Sequence, residues 1–199
     1  MPSSSDANPS PSRADAGDRA VRRFQGADRY LSNMYYAAVA WGDAVTPLRL
    51  WPLNELPYVL AKTLSPETRD AGMELFRAVE QARPGAGGAA INRWGKELVL
   101  RPDWDRAKDA VMLALVRDKF ARNAGLKALL LATGNGLIEE GNDWGDLYWG
   151  VALKGKPKRG IKAGDGQNKL GKILMQVRDE LRRGEVHLAA ALEAGTSLA

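Results

Sequence analysis

Cysteine is absent and histidine occurs once, at His187. The first absence removes disulfides, thiolate zinc sites and a cysteine nucleophile. The second removes a multi-histidine metal site. It also argues against a Ser-His-Asp triad, since His187 lies beyond the last amphipathic segment. Catalysis by such a chain has to run on carboxylates, hydroxyls, lysine or backbone groups, with no metal and no cofactor expected. No apolar run reaches the ~20 residues that span a bilayer, and no secretory leader opens the chain. No membrane partner is therefore expected, and a chain without cysteine fits the reducing cytoplasm.

What is present is ordinary in bulk. With 45% hydrophobic and 27% charged residues over 199 positions, the chain can bury the core of one globular domain. The first twenty residues, rich in Pro, Ser and Asp near the start, read as a disordered tail. Residues 21–183 read as the folded domain and 184–199 as an alanine-rich tail. The net charge of +5 is concentrated in Lys154, Lys156, Lys158, Arg159, Lys162, Lys169 and Lys172. Such a block is either a solvated surface or a phosphate-facing one.

Periodicity predicts an α+β, helix-dominated domain with a small N-terminal β component. Residues 22–53 read as short strands and turns. Asn54 is placed to cap a helix from Glu55 to about Leu64, with Pro57 in its first turn. Ser65-Pro66-Glu67 starts another. A short helix is expected over Ala89–Leu98 and a long one from Trp104, with apolar positions at Ala107, Val111, Leu115 and Phe120. Leu126–Ala132 reads as a further helical piece, Leu137–Glu140 as a short strand and Leu170–Arg183 as the last amphipathic helix.

Chemistry concentrates towards the C-terminus. Asp146-Leu-Tyr-Trp-Gly150 is followed by Gly164-Asp-Gly-Gln-Asn-Lys-Leu-Gly171, which runs into a helix start. Glycines admit backbone amides close to a ligand, a helix start offers unpaired N–H groups, and aromatics offer stacking. Gly164, Gly166, Asn168 and Gly171 thus read as a phosphate or pyrophosphate cradle, with Lys169 and Arg178 as further charges or Arg178 as a surface residue. Asp143, Asp146 and Asp165 have no recognised metal-cage spacing.

Leu31-Ser-Asn-Met34, Trp51-Pro52 with Asn54-Glu55, Ala61-Lys62, Trp104 after Arg101-Pro-Asp, Leu129–Thr133, Asp146–Gly150 and Gly164–Arg178 occur in an order that resembles the NADAR family. Its best-known members include the N-glycosidase that acts on riboflavin-biosynthesis intermediates. The resemblance runs from about Arg23 to Leu181. The family's usual Ser-Glu pair is here Asn54-Glu55, and the loop between Trp149 and Gly164 is longer and more basic than in compact bacterial members.

The resemblance implies hydrolysis of a ribosyl C–N bond through an oxocarbenium-like state, with Glu55 as the key acid and Asp146 as the second. By position alone Glu55 is also an ordinary first-turn acid. Trp104 either borders the site or belongs to the core. Of Tyr148 and Trp149, one is expected to face the pocket and the other to be buried. Asn33 either holds a ribose or base edge or shapes a turn, and Lys62 pairs with Glu55 or with phosphate. Asn54 accompanies Glu55. The implied substrate is a phosphorylated ribosylamine of riboflavin synthesis or an ADP-ribose conjugate, including ADP-ribosyl-guanine in nucleic acid. The alternatives are a non-catalytic module that binds NAD or ADP-ribose and a nucleic-acid binder that uses the basic loop alone.

Overall fold

The computed structural model describes residues 18–186 and 188. The expected tails therefore fall almost wholly outside the described residues, as does His187. Among the described residues six α-helices dominate: α1 (Glu55–Leu60), α2 (Pro66–Ala82), α3 (Gly87–Trp94), α4 (Trp104–Arg122), α5 (Ala124–Leu131) and α6 (Lys169–Arg183). The β component is two minimal sheets. β1 (Val39–Trp41) pairs antiparallel with β2 (Arg49–Trp51), and β3 (Gly141–Asn142) pairs parallel with β4 (Val151–Ala152). The expected strand over Leu137–Glu140 is reduced to a single bridge between Val21 and Ile138. The pairing continues instead at β3.

Local chemistry explains most boundaries. Ser65 Oγ accepts the Thr68 N–H at 3.1 Å and Pro66 sits in the first turn of α2, so that helix starts as the sequence predicts. Asn54 departs from its expected role. Its backbone is already helical, and its side chain makes no capping bond. Both amide atoms are buried without a partner. The α1 helix is shorter than expected because the chain turns at Ala61 and Lys62.

The core forms around α4, which packs on α6, α5 and β1. α6 contributes Leu170, Ile173, Leu174, Val177 and Leu181, all buried and at helical spacing. α4 answers with Met112, Leu115, Val116 and Phe120, while Ala107 and Val111 are only partly buried. Two charged residues of α4 are also buried and tie it to the N-terminal segment, one to β1 and one to the turn before it. Asp118 Oδ1 accepts the Ala40 N–H at 2.6 Å and pairs with Arg122. Lys119 Nζ donates to the Ser32 carbonyl at 2.8 Å. α2 closes on α3 over Gly72, where a Cβ would lie 2.7 Å from the Trp94 ring.

Candidate active site

A cleft of about 520 Å³ opens between α1, α3, α4 and the loop that follows β3. α1 supplies its floor. Glu55, Tyr58 and Lys62 follow one another at helical spacing and all line the cleft. The start of α1 is fixed from outside the helix, because the Glu55 N–H donates to the Asn33 carbonyl at 3.1 Å. Asn33 itself lines the cleft. Its amide nitrogen points to Met112 Sδ at 3.3 Å, and its Oδ1 is buried with no partner.

Glu55 is 6% exposed. Its Oε1 accepts a 2.6 Å bond from Asn92 Nδ2 of α3. Burial pushes its proton affinity up, the Asn92 bond and the Lys62 charge pull it down, and the Asp146 charge raises it. Lys62 Nζ donates to the Gly95 carbonyl at 3.2 Å and stands over the Tyr58 ring. It acts on Glu55 through space rather than by a direct ion pair. Burial lowers the Lys62 pKa and Glu55 opposes that shift.

The second expected acid is held by its own turn. Asp146 Oδ1 accepts the N–H groups of Tyr148 and Trp149 at 3.0 and 2.9 Å. Asn142 closes the turn from the other side, accepting the Asp146 N–H and donating to the Asp146 carbonyl. Asp146 thus lines the cleft and also orders the two aromatics beside it. Trp149 meets Tyr58 edge-on at 5.6 Å, and Tyr58 meets Trp104 at 5.3 Å. Tyr148 meets Trp149 at 5.1 Å and bonds Asp109 through its hydroxyl at 2.6 Å. All four rings line the cleft, so Trp104 is at once buried and at the site. Both Tyr148 and Trp149 face it, rather than one of the two.

A residue that sequence reasoning passed over stands beside them. Glu140 lines the same cleft, and its Oε2 is buried with no partner. Burial, then the charges of Asp146 and Glu55, raise its pKa to about 8. Asn92 was also missed, although it is the direct partner of Glu55.

The Gly/Lys segment has neighbours other than those of a cradle. None of Gly164, Gly166, Asn168, Lys169 and Gly171 lines the cleft. The amides around the start of α6 are already used. Those of Gln167, Asn168, Lys169 and Leu170 donate to the carbonyls of Leu147, Gly150, Tyr148 and Trp149. Asn168, in the left-handed region at φ 51°, accepts the Glu140 N–H through Oδ1 and donates to the Ile138 carbonyl. Gly166 is required because a Cβ there would lie 2.2 Å from the Gly150 carbonyl oxygen. Lys169 pairs with Asp109 at 2.8 Å. Arg178 is neither a surface residue nor near the cleft. It is buried and donates to Thr133 Oγ1 and the Gly136 carbonyl.

The other aspartates have local work. Asp143 pairs with Arg23, and Asp165 accepts the Lys162 N–H. Lys154, Lys158, Arg159 and Lys162 are exposed. Their loop packs on the Gly145 turn, next to Trp144, which lines the cleft and is 62% exposed. Lys96 and Lys108 add two cations to the cleft wall, Lys108 standing 4.0 Å above the Tyr148 ring.

Carboxylates of unequal environment, enclosed with an aromatic wall and three lysines, suit chemistry in which positive charge develops on a sugar ring beside a flat leaving group. Known proteins carry the same frame. The N-glycosidase YbiA of Escherichia coli strain K12 is 30% identical over 157 residues, covering 75% of this chain and 87% of the relative. A riboflavin biosynthesis protein of Vibrio vulnificus is 29% identical over 153 residues, covering 77% of this chain and 35% of the relative. The solution structure of E. coli YbiA superposes with a TM-score of 0.62 at 26% identity, covering 86% of this chain and 90% of that one. The NADAR domain model matches residues 19–182, and with the ordered motifs and the shared frame the chain belongs to the NADAR family.

Proposed function

We propose that this chain hydrolyses the bond between ribose C1′ and a nitrogen in a phosphorylated, nucleoside-like substrate. The observation that carries the reading is Glu55. This carboxylate is enclosed at the floor of an open cleft, held by Asn92 and faced by an aromatic wall. A purely structural first-turn acid needs neither the enclosure nor the cleft. The chain is a hydrolase of N-glycosyl bonds, as its relatives named N-glycosidase are.

Glu55 stabilises the developing cation at C1′ and directs water to it, while Asp146 holds a ribose hydroxyl. Tyr58, Trp104, Tyr148 and Trp149 border the leaving base. Asn33 offers its free Oδ1 to a base or ribose donor. Lys62, Lys96 and Lys108 supply the positive charge that a phosphate requires. Asn54 acts through the backbone, since its carbonyl accepts the Tyr58 N–H. Gly164, Gly166, Asn168, Lys169 and Gly171 serve by fixing the Tyr148–Trp149 loop. The cleft volume of about 520 Å³ falls within the ~300–1,000 Å³ of small-molecule sites. It suits a ribosylamine phosphate, and two relatives are named riboflavin biosynthesis proteins.

The exposed basic loop beside Trp144 favours a second substrate, an ADP-ribose conjugate whose distal phosphates or attached nucleic acid lie outside the cleft. The test offers a riboflavin-pathway ribosylamine phosphate, NAD and an ADP-ribosyl-guanosine oligonucleotide to wild type and Glu55→Gln, with mass-spectrometric detection of free base. Release from one substrate by wild type alone is expected and names the class. ADP-ribose binding without cleavage of any substrate would make the chain a binding module instead.

A further inference from the structure

Glu139 and Glu140 are neighbours with opposite fates. Glu139 pairs with Arg22 near the surface. Glu140, the next residue of an extended segment, enters the cleft on the other side. Its backbone is held from three directions. The Glu140 N–H donates to Asn168 Oδ1 at 3.1 Å, its carbonyl accepts the Val151 N–H at 3.0 Å, and Gly150 lets that carbonyl approach closely. The side chain by contrast has no cation, and its Oε2 is buried with no protein partner. A buried carboxyl oxygen without a partner is costly unless the group is neutral or a ligand completes it.

Three of the four acids that line the cleft therefore divide the work. Glu55 has the Asn92 amide and the Lys62 charge to favour its anion. Asp146 accepts two backbone N–H groups. Glu140 has neither kind of support. The other charged groups that line the cleft are Lys96, Asp105 and Lys108.

Resting on the hydrolase reading above, we propose that Glu140 is the general acid of the reaction, the group that protonates the leaving nitrogen. As the C1′–N bond breaks, its electron pair moves to the nitrogen, which takes the proton from the Glu140 carboxyl. Water adds its oxygen to C1′ and gives a proton to the Glu55 carboxylate. The products are the free ribose phosphate and the protonated base. Transfer of the proton from Glu55 to Glu140 through solvent restores the enzyme. The raised proton affinity of Glu140 agrees with this division, since a donor must be neutral at working pH.

The test uses ribosylaminopyrimidine 5′-phosphates whose bases carry graded electron-withdrawing groups. It compares wild type, Glu140→Gln and Glu140→Asp, with thermal melts to establish folding. Glu140→Gln is expected to lose about 10²–10³-fold in kcat on the most basic leaving group, with the loss shrinking as the base becomes a better leaving group. Glu140→Asp is expected to recover part of the rate. Wild type, unlike Glu140→Gln, is expected to show an alkaline limb in kcat that weakens along the same series. A uniform loss across the series, no loss, or an alkaline limb indifferent to the leaving group would overturn the role of Glu140. Inactivity of wild type on every member would instead remove the ribosylamine phosphate as substrate, and with it this role of Glu140 toward that leaving group.

Discussion

The Asn92 amide of α3 donates a 2.6 Å hydrogen bond to Glu55 Oε1 of α1, and thereby joins two helices through the cleft's principal carboxylate. A donor to a carboxylate stabilises its anion by about 1.5–3 kcal/mol, and ~1.4 kcal/mol is one pKa unit. Removing it leaves burial opposed mainly by Lys62. Asn92→Ala should therefore raise the Glu55 proton affinity further. The acid limb of kcat/KM is expected to move up by about one to two pH units, so activity at pH 6 falls more than at pH 8. A pH–rate profile on both proteins measures this, and an unmoved acid limb would assign that limb to another group.

Asp146 combines a charge with a turn, and two substitutions separate them. Asp146→Asn keeps a side-chain oxygen to accept the Tyr148 and Trp149 N–H groups but removes the charge. It is expected to lower kcat by about tenfold or more with little change in KM. Asp146→Ala also frees the turn, so the aromatic wall loses its register and KM rises as well. Steady-state kinetics on the two variants decides. Equal losses in both would mean that the charge is the whole of the Asp146 contribution, and no loss in Asp146→Asn would mean that the turn is.

The helices and the aromatics could be read from the chain because each leaves a local mark, whereas Glu55 and Asp146 stood out only through the family resemblance, since by position alone Glu55 is an ordinary first-turn acid. Ser65-Pro66 starts a helix wherever it stands, and the stripe from Leu170 to Leu181 needs only helical spacing. The Gly164–Gly171 segment misled because glycine has two uses. Here its chief reason is close backbone approach, Gly166 to the Gly150 carbonyl and Gly171 to that of Ile138, and no local pattern announces such a partner. Glu140 was passed over for a related reason. Its character comes from burial and from Asn168 and Glu55, both far away in sequence, with Asp146 six residues on. The tandem Glu139-Glu140 after an apolar pair was the available signal, since adjacent residues of an extended segment face opposite ways.

Arg69 gives a prediction about stability. Its guanidinium is buried and makes two bonds to Asp43, with Thr46 Oγ1 and the Thr63 carbonyl completing its shell. Burial works to raise the Asp43 pKa, but Arg69 and two backbone N–H groups outweigh it and hold the pKa at about 2. Because the folded value lies below the unfolded one, this stabilisation is complete above about pH 4 and is lost as pH falls towards 2. Asp43→Ala leaves a buried cation unpaired, which costs about 3–5 kcal/mol. Its melting temperature at pH 7 is expected to fall by about 10 °C. The deficit should narrow near pH 2, which a melting series in acid buffers would reveal.

Lys119 titrates in the same sense but in an alkaline window. It is enclosed within the core, its ammonium donates to the Ser32 carbonyl, and burial lowers its pKa to about 7. The unfolded chain holds that proton up to about pH 10. Between pH 7 and 10 the unfolded state therefore binds more protons at this site, and folding stability gains with pH by up to about 1.4 kcal/mol per unit. Below pH 7 both states are protonated and this contribution is flat. Lys119→Met keeps a long apolar side chain and abolishes the titration. Urea unfolding at pH 7 and pH 9 is expected to show wild type gaining on the variant as pH rises. An unchanged difference would mean that Lys119 keeps its proton in the folded protein. Because the Ser32 carbonyl belongs to the turn that carries Asn33 into the cleft, the variant is also expected to raise KM while leaving the acid limb of kcat in place.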